Sequence, residues 1–176
     1  SFINKQPGFS VSIALVAKDG TPYIGVVYDP SRDILYYGIK GNGVFKNGRP
    51  WEIKYINKHL TYVTDRNLID TPSSDKIEKL LQENLDKFNL SGLKEISGSG
   101  AVLNGILVLE NGPACMVKLP KKEIGGGSIW DFAATACIYR ELGLSVTDFK
   151  GEMLDLNKKD GTFMNKEGIF FANFTK

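Results

Sequence analysis

Tight-turn signals recur at short intervals in the first fifty residues, and they restrict the possible fold more than any other feature of this sequence. Asp19-Gly20 separates two β-branched runs, residues 9–17 and 23–28, and this pattern predicts a β-hairpin. Three further turns rich in Gly, Asn, Asp or Pro follow, at residues 29–31, 41–43 and 47–48. Because short turns join antiparallel strands only, the sequence predicts an antiparallel meander over residues 1–58.

From residue 59 onward, helix-length and strand-length segments alternate. The predicted helices are 74–88, 101–109 and 128–142, and the predicted strands are 93–96, 114–118, 144–149 and 168–173. Strands followed by alternating elements favour an α/β (α+β) fold with layers of helix and sheet over a doubly wound Rossmann fold. No long linker separates 1–58 from 59–176, so we expect the two regions to pack as one body.

The overall charge points to a small-molecule partner. Twenty-two Lys and Arg against 20 Asp and Glu leave a net charge of +2, too little to favour a nucleic acid polymer or a membrane surface. The apolar runs are far shorter than the roughly 20 residues that span a bilayer, and no secretory signal is visible. Cys115 and Cys137 form no C-x-x-C pair and read as reduced thiols. We therefore expect a cytoplasmic protein.

The histidine content narrows the chemistry. His59 is the single histidine, so a metal site built from several histidines is excluded, and a Ser-His-Asp triad is disfavoured. Chemistry in this chain must depend on carboxylates, lysines, backbone amides or a bound ion.

A glycine run leads into the third predicted helix. Ser128 follows Gly125-Gly126-Gly127 as a natural N-cap, and Asp131 lies three residues later. One interpretation is a capping box in which Asp131 accepts a hydrogen bond from the backbone amide of Ser128. The other is a metal ligand, since Mg²⁺ and Ca²⁺ prefer carboxylate oxygens. A single carboxylate does not hold a catalytic ion, so the second interpretation requires partners elsewhere.

Gly98-Ser99-Gly100 lies between a predicted strand and an apolar helix. Amides at a helix N-terminus favour an anion, and glycines let a phosphate approach closely. The spacing fits neither G-x-G-x-x-G nor a P-loop. Tight strand-to-helix packing is the alternative explanation.

Three lysines, Lys118, Lys121 and Lys122, surround Pro120 just before the glycine run. Such a run is usually a solvated loop. Close to a metal-binding carboxylate, it would instead suit a substrate that carries more than one phosphate.

Several segments, in this order, resemble the inositol monophosphatase family, which includes the 3′(2′),5′-bisphosphate nucleotidases. They are FSVSIALV at 9–16, GVVYDP at 25–30, GVFKNG at 43–48, Gly98-Ser99, and Trp130-Asp131-x-Ala-Ala. The resemblance implies an αβαβα layered sandwich and magnesium-dependent hydrolysis of a small phosphate monoester, with a possible homodimer. It also implies that an ion-activated water attacks phosphorus in line.

The same resemblance assigns roles to residues. It implies that Asp131 is a Mg²⁺ ligand, and that Gly98, Ser99, Gly100 and Ala101 line the substrate site. Some relatives place an acidic residue for substrate hydroxyls where this chain has Lys118. That difference favours an anionic substrate such as adenosine 3′,5′-bisphosphate, with Lys118, Lys121 and Lys122 neutralising its second phosphate.

The resemblance also implies that part of the catalytic set lies upstream. Family members carry a Glu-Glu pair and an Asp-Pro-x-Asp-Gly-Thr motif, and this chain opens at Ser1-Phe2 just past the expected end of that motif. We therefore expect an N-terminally truncated member in which no catalytic residue is identifiable and which is inactive alone. A non-catalytic anion-binding fragment or degenerate relative is the alternative, and a dinucleotide-binding enzyme is a distant third.

Overall fold

A computed structural model describes residues 7–53, 55, 58–65 and 74–174 of the chain. Within this described part, three helices accompany two five-stranded sheets. The helices are α1 (Ser74–Lys87), α2 (Ala101–Glu110) and α3 (Ile129–Glu141). None of them has both the length and the hydropathy to cross a bilayer.

The first sheet, sheet A, is an antiparallel meander in the order β1-β2-β3-β4-β5. Its strands are β1 (Val11–Val16), β2 (Pro22–Asp29), β3 (Ile34–Ile39), β4 (Gly43–Lys46) and β5 (Arg49–Pro50). The turn residues explain the short connections, because Gly20 and Asn47 adopt positive φ angles of 80° and 48°. The antiparallel arrangement predicted from the turn signals is confirmed for these strands.

The second sheet, sheet B, has the order β7-β6-β8-β10-β9. Its strands are β6 (Leu60–Thr64), β7 (Leu93–Ser97), β8 (Ala114–Lys118), β9 (Ser145–Thr147) and β10 (Ile169–Ala172). Strand β6 runs parallel to β7 and β8, so the carboxyl ends of these three strands share one edge. Strand β9 is shorter than predicted, because Asp148 accepts hydrogen bonds from the amides of Lys150 and Glu152 and begins a turn.

The sheets and helices form layers. One core lies between the two sheets around α2 and α3, and a second core lies between α1 and the opposite face of sheet B. The strands of sheet B alternate between these cores, with Met116 facing one and Cys115 and Val117 facing the other. The described residues therefore form four layers in the order sheet, helix, sheet, helix.

A row of small residues seats α3 against sheet A. Ala14, Gly25 and Gly38 are cross-strand partners on β1, β2 and β3. A Cβ atom on Gly25 would lie 2.2 Å from the carbonyl oxygen of Ala134, and one on Gly38 would lie 3.1 Å from Cα of Ile138. Glycine at these positions lets the helix backbone approach the sheet closely.

Both cysteines are buried and unpaired. Cys115 belongs to the core between sheet B and α1, whereas the Cys137 Sγ lies on α3, 3.6 Å from the carbonyl oxygen of Gly38 in sheet A. Burial raises the pKa of Cys115 to about 12 and that of Cys137 to about 11. Both side chains therefore remain protonated, unreactive thiols at neutral pH.

A cluster of charged side chains ties sheet A to the end of α2. Glu110 accepts hydrogen bonds of 2.7 Å from the side chains of Arg32, Tyr36 and Lys46. Arg32 also forms a 2.6 Å ion pair with the buried Asp29. The carboxylate of Glu110 is thus the shared acceptor of three donors from two strands and a turn.

The face of sheet A that points away from α3 is apolar along four strands. By register, it carries Val11, Ile13, Leu15, Ile24, Val26, Tyr28, Leu35, Tyr37, Ile39 and Phe45. Ile13 and Leu15 are 60% and 58% exposed. Antiparallel sheets that face water normally alternate apolar and polar residues, so this face has the composition of a covered surface.

We expect the chain to self-associate through this apolar face as its concentration rises. In sedimentation velocity, an Ile13→Thr/Leu15→Thr variant should stay monomeric at concentrations where the parent chain does not. Ile124→Thr/Met153→Thr is the matched control, since these side chains are 75% and 74% exposed but lie outside sheet A. A parent chain that remains monodisperse throughout would contradict the expectation.

Candidate functional site

Polar residues lie side by side at the carboxyl ends of three parallel strands of sheet B. The register pairs Val63 with both Ile96 and Met116, so the residues that follow β6 and β7 and the last residue of β8 lie side by side. These are Asp65 after β6, Gly98 after β7, and Lys118 at the end of β8. Ligands of open α/β sheets bind at this carboxyl edge, and the edge is therefore the candidate site.

The Gly98 segment connects β7 directly to α2, as the sequence predicts. Gly98 has a φ of +99°, which favours glycine, and Gly100 is the N-cap of α2. Gly98 and Gly100 are exposed, while Ser99 and Ala101 are half-buried. The predicted substrate-lining residues therefore form an accessible strand-to-helix junction at a helix N-terminus, where backbone amides favour an anion.

The chain that precedes β1 borders this junction. The Gly100 amide donates a 3.0 Å hydrogen bond to the carbonyl oxygen of Gly8. Gly8 has a φ of +104°, and a Cβ atom there would lie 3.0 Å from the carbonyl oxygen of Gly98, so this position favours glycine. The segment that leads into sheet A thus borders the site formed at the edge of sheet B.

Asp131 lies in the first turn of α3. Its Oδ2 accepts a 2.7 Å hydrogen bond from the backbone amide of Ser128, which is the helix-capping contact that the spacing predicts. Among the residues that the structure describes, Oδ1 has no hydrogen-bond partner. One oxygen thus caps the helix while the other remains available, so the capping role leaves room for a ligand role.

The same segment links Asp131 to the Gly98 junction. The Ser12 hydroxyl donates a 3.4 Å hydrogen bond to the carbonyl oxygen of Trp130, the neighbour of Asp131. Ser12 lies only four residues after Gly8, and four residues span at most about 14 Å. Asp131 and the Gly98 junction therefore border the same stretch of chain from its two ends.

The three lysines of the predicted cationic group have different surroundings. Lys118 forms an ion pair with Asp65. The side chain of Lys121 lies along the glycine run, with Cε 3.5 Å from the position of a Cβ atom on Gly126. Lys121 and Lys122 are exposed, and the side-chain amide of Asn165 holds their loop by donating to both carbonyl oxygens.

Gly127 joins the lysine loop to the α3 N-terminus. A Cβ atom there would lie 3.5 Å from Asp131 Oδ2 and 2.5 Å from the ring of Phe132. Lys121 thus contacts one part of the glycine run at Gly126, and Asp131 contacts the other at Gly127. The grouping of the lysines beside the carboxylate stays a prediction.

Two residues of the site were missed by the sequence reasoning. Asp65 and Asn104 join Lys118 in one hydrogen-bonded group, in which Asn104 donates to Asp65 over 2.7 Å. A usable signal for Asp65 was present, since it directly follows the buried run of β6. Asn104 stands inside an otherwise apolar helix, which is a second signal.

The donor set for a metal ion is incomplete in the described part of the chain. No group of three or more Asp, Glu, His or Cys side chains converges there. Asp131 offers a carboxylate oxygen of the kind that Mg²⁺ prefers, but a single carboxylate does not hold the ion. The described residues therefore offer one candidate ligand for a magnesium site and do not form a complete site.

The sequence profile described as the inositol monophosphatase family matches residues 1–172. The chain belongs to the inositol monophosphatase family. It is 28% identical over 176 residues to the 3′(2′),5′-bisphosphate nucleotidase CysQ of Aggregatibacter actinomycetemcomitans, covering 98% of this chain and 58% of that protein. It is 30% identical over 164 residues to inositol monophosphatase 1 of Xenopus laevis, covering 89% of this chain and 53% of that protein.

The fold agrees with this family assignment. A crystal structure of SaIMPase-II with bound 2′AMP superimposes with a TM-score of 0.70 at 25% identity, covering 98% of this chain and 59% of that one. The predicted α/β fold of the inositol monophosphatase type is therefore confirmed. The chain spans less than two thirds of the length of these relatives, and the described residues form four of the five layers in the αβαβα arrangement.

Proposed function

We propose that the chain is part of a magnesium-dependent phosphatase that hydrolyses a small phosphate monoester. The observation that carries the proposal is the accessible junction of Gly98 to Ala101, placed at the carboxyl edge of parallel strands and linked through residues 8–12 to Asp131. The relatives support it, since they include a bisphosphate nucleotidase and inositol monophosphatases.

Each group at the site has a proposed task. The junction binds the phosphate of the substrate through the backbone amides at the N-terminus of α2 other than that of Gly100, which donates to Gly8. Lys121 and Lys122 balance the negative charge of the ligand. Asp131 supplies one oxygen to Mg²⁺, which provides Lewis-acid stabilisation of phosphoryl transfer when it is bound.

The substrate candidates are a 3′(2′),5′-bisphosphate nucleotide and an inositol phosphate. Each corresponds to the activity in the name of a relative, and SaIMPase-II was crystallised with 2′AMP, a ligand that carries one phosphate. All of them combine a phosphate with a polar, hydroxyl-bearing body. The proposed partner is therefore a small phosphate ester.

We expect the purified 176-residue chain to release no phosphate from these candidates in a magnesium-dependent way. The reason is that one carboxylate leaves the ion under-coordinated. A colorimetric phosphate assay, run with and without Mg²⁺, measures this directly. Magnesium-dependent release by a sample whose intact mass is 19.4 kDa would overturn the expectation.

The proposal itself is tested in the protein from its natural source. If the intact mass exceeds 19.4 kDa, that protein should hydrolyse a candidate substrate with Mg²⁺, and Asp131→Asn should lose activity. Asp19→Asn, which changes an exposed turn residue, is the matched control. Phosphate binding without turnover in that protein would instead favour a non-catalytic anion-binding role.

A further inference from the structure

Asp65, Lys118 and Asn104 form a hydrogen-bonded group beside the Gly98 junction. Lys118 Nζ donates to Asp65 Oδ2, and Asn104 Nδ2 donates to Asp65 Oδ1 over 2.7 Å. Both oxygens of Asp65 are thus engaged by groups from two different elements, β8 and α2. This double contact fixes the carboxylate at the carboxyl edge of β6.

Asn104 anchors the group to the candidate site. It is fully buried, and its backbone amide donates a 3.0 Å hydrogen bond to the carbonyl oxygen of Gly100, the N-cap of α2. Its Oδ1 is also buried and has no partner in the described part of the chain. A buried polar atom without a partner already destabilises the fold. Loss of the hydrogen bond to Asp65 would leave the side-chain amide nitrogen of Asn104 without its acceptor as well, so this bond stabilises the group.

The ion pair between Lys118 and Asp65 determines which charge is accessible to a ligand at the carboxyl edge of sheet B. The side chain of Lys118 is 17% exposed, whereas that of Asp65 is 45% exposed. The carboxylate is therefore the more accessible partner, and it compensates the charge of the lysine behind it. An exposed carboxylate accepts hydrogen bonds from hydroxyl groups and repels a phosphate.

We propose that Asp65 determines substrate specificity at this edge. Its carboxylate accepts a hydrogen bond from a hydroxyl of the substrate, and it withholds the charge of Lys118 from a second phosphate. The site then selects hydroxyl-bearing monophosphates over bisphosphates. This inference depends on the proposed function, because it requires that phosphate binds at the Gly98 junction.

The test compares three probes on the purified chain by isothermal titration calorimetry at a fixed magnesium concentration. Inorganic phosphate reports the general effect of charge, inositol 1-phosphate carries hydroxyls, and adenosine 3′,5′-bisphosphate carries a second phosphate. The variants are Asp65→Asn and, as a matched loss of one negative charge at a distance, Asp19→Asn. Circular dichroism confirms that each variant is folded.

The wild-type chain should prefer inositol 1-phosphate to the bisphosphate. Asp65→Asn should shift the ratio of the two dissociation constants toward the bisphosphate by about tenfold or more, the size expected for one charge-assisted hydrogen bond. The gain in bisphosphate affinity should disappear when Lys118→Met is added, because the released charge is then absent. Asp19→Asn should leave the ratio unchanged.

Two different failures are distinguishable. If all three probes bind but Asp65→Asn leaves the ratio of the two dissociation constants unchanged, the specificity role is wrong. If the wild-type chain binds none of the probes, the proposed phosphate site fails and the specificity role fails with it. If Asp65→Asn unfolds the chain, Lys118→Met alone replaces it. Removal of the lysine leaves the carboxylate of Asp65 uncompensated, so the ratio of dissociation constants should shift further toward inositol 1-phosphate. An unchanged ratio would then overturn the proposal.

Discussion

The Gly25→Ala variant is expected to lose about 3 kcal/mol or more of its free energy of unfolding, or to fail to fold. The added Cβ atom would lie 2.2 Å from the carbonyl oxygen of Ala134 and 2.8 Å from Cβ of Cys137. The first of these atoms belongs to the backbone of α3, so the whole helix would have to move away from sheet A. Urea denaturation followed by circular dichroism measures the loss.

Gly92→Ala provides the matched control for this glycine substitution. Gly92 has no positive φ angle, and a Cβ atom there would meet no other atom within 4 Å. Its free energy of unfolding should stay within about 0.5 kcal/mol of the parent value. If both variants unfolded at the same urea concentration, the close approach of α3 to sheet A would not be a major source of stability.

The Glu110→Ala variant is expected to lose about 2 kcal/mol of its free energy of unfolding, because it leaves three donors without their shared acceptor. The side chains of Arg32 and Lys46 are 36% and 35% exposed, so solvent replaces part of the lost hydrogen bonds. Chemical denaturation at neutral pH measures the effect. Glu78→Ala removes an exposed glutamate from α1 and should change stability little.

The contribution of Glu110 should also depend on pH. Burial acts to raise the pKa of this carboxyl, but hydrogen bonds from Arg32, Lys46 and Tyr36 outweigh burial and lower the pKa below its usual value of 4.5. A carboxyl with a lowered pKa stabilises the fold above its unfolded-state pKa, and the effect is lost as pH falls through the folded-state pKa. The stability difference between parent and Glu110→Ala should therefore be constant well above pH 4.5 and shrink below it. A difference that grows on acidification would contradict this assignment.

Local sequence signals account for most of the fold. The turn residues of the first half specify an antiparallel order because Gly20 and Asn47 adopt the conformations that short connections need. The helices also begin and end close to their predicted positions, since apolar periodicity and caps are local properties. The Asp131 cap was predictable for the same reason, because its partner lies three residues away.

The electrostatic surroundings of the site follow from contacts between distant residues, and local patterns do not reveal them. Lys118 reads as one of three neighbouring cations, yet its ion-pair partner Asp65 lies 53 residues earlier in the chain. The pairing exists because β6 and β8 are neighbours in sheet B, which is a property of the topology. The Glu110 cluster was missed in the same way, because its donors come from β3, β4 and the turn before β3 and lie 64 to 78 residues earlier.

The two buried cysteines lie between different pairs of layers. Cys115 is enclosed between sheet B and α1, and Cys137 between α3 and sheet A, so no single local opening uncovers both. A thiol reagent that reaches Cys137 reports that α3 has left sheet A, whereas one that reaches Cys115 reports that α1 has left sheet B. The reactivities of the two cysteines therefore distinguish the separation of sheet A from α3 from the separation of sheet B from α1.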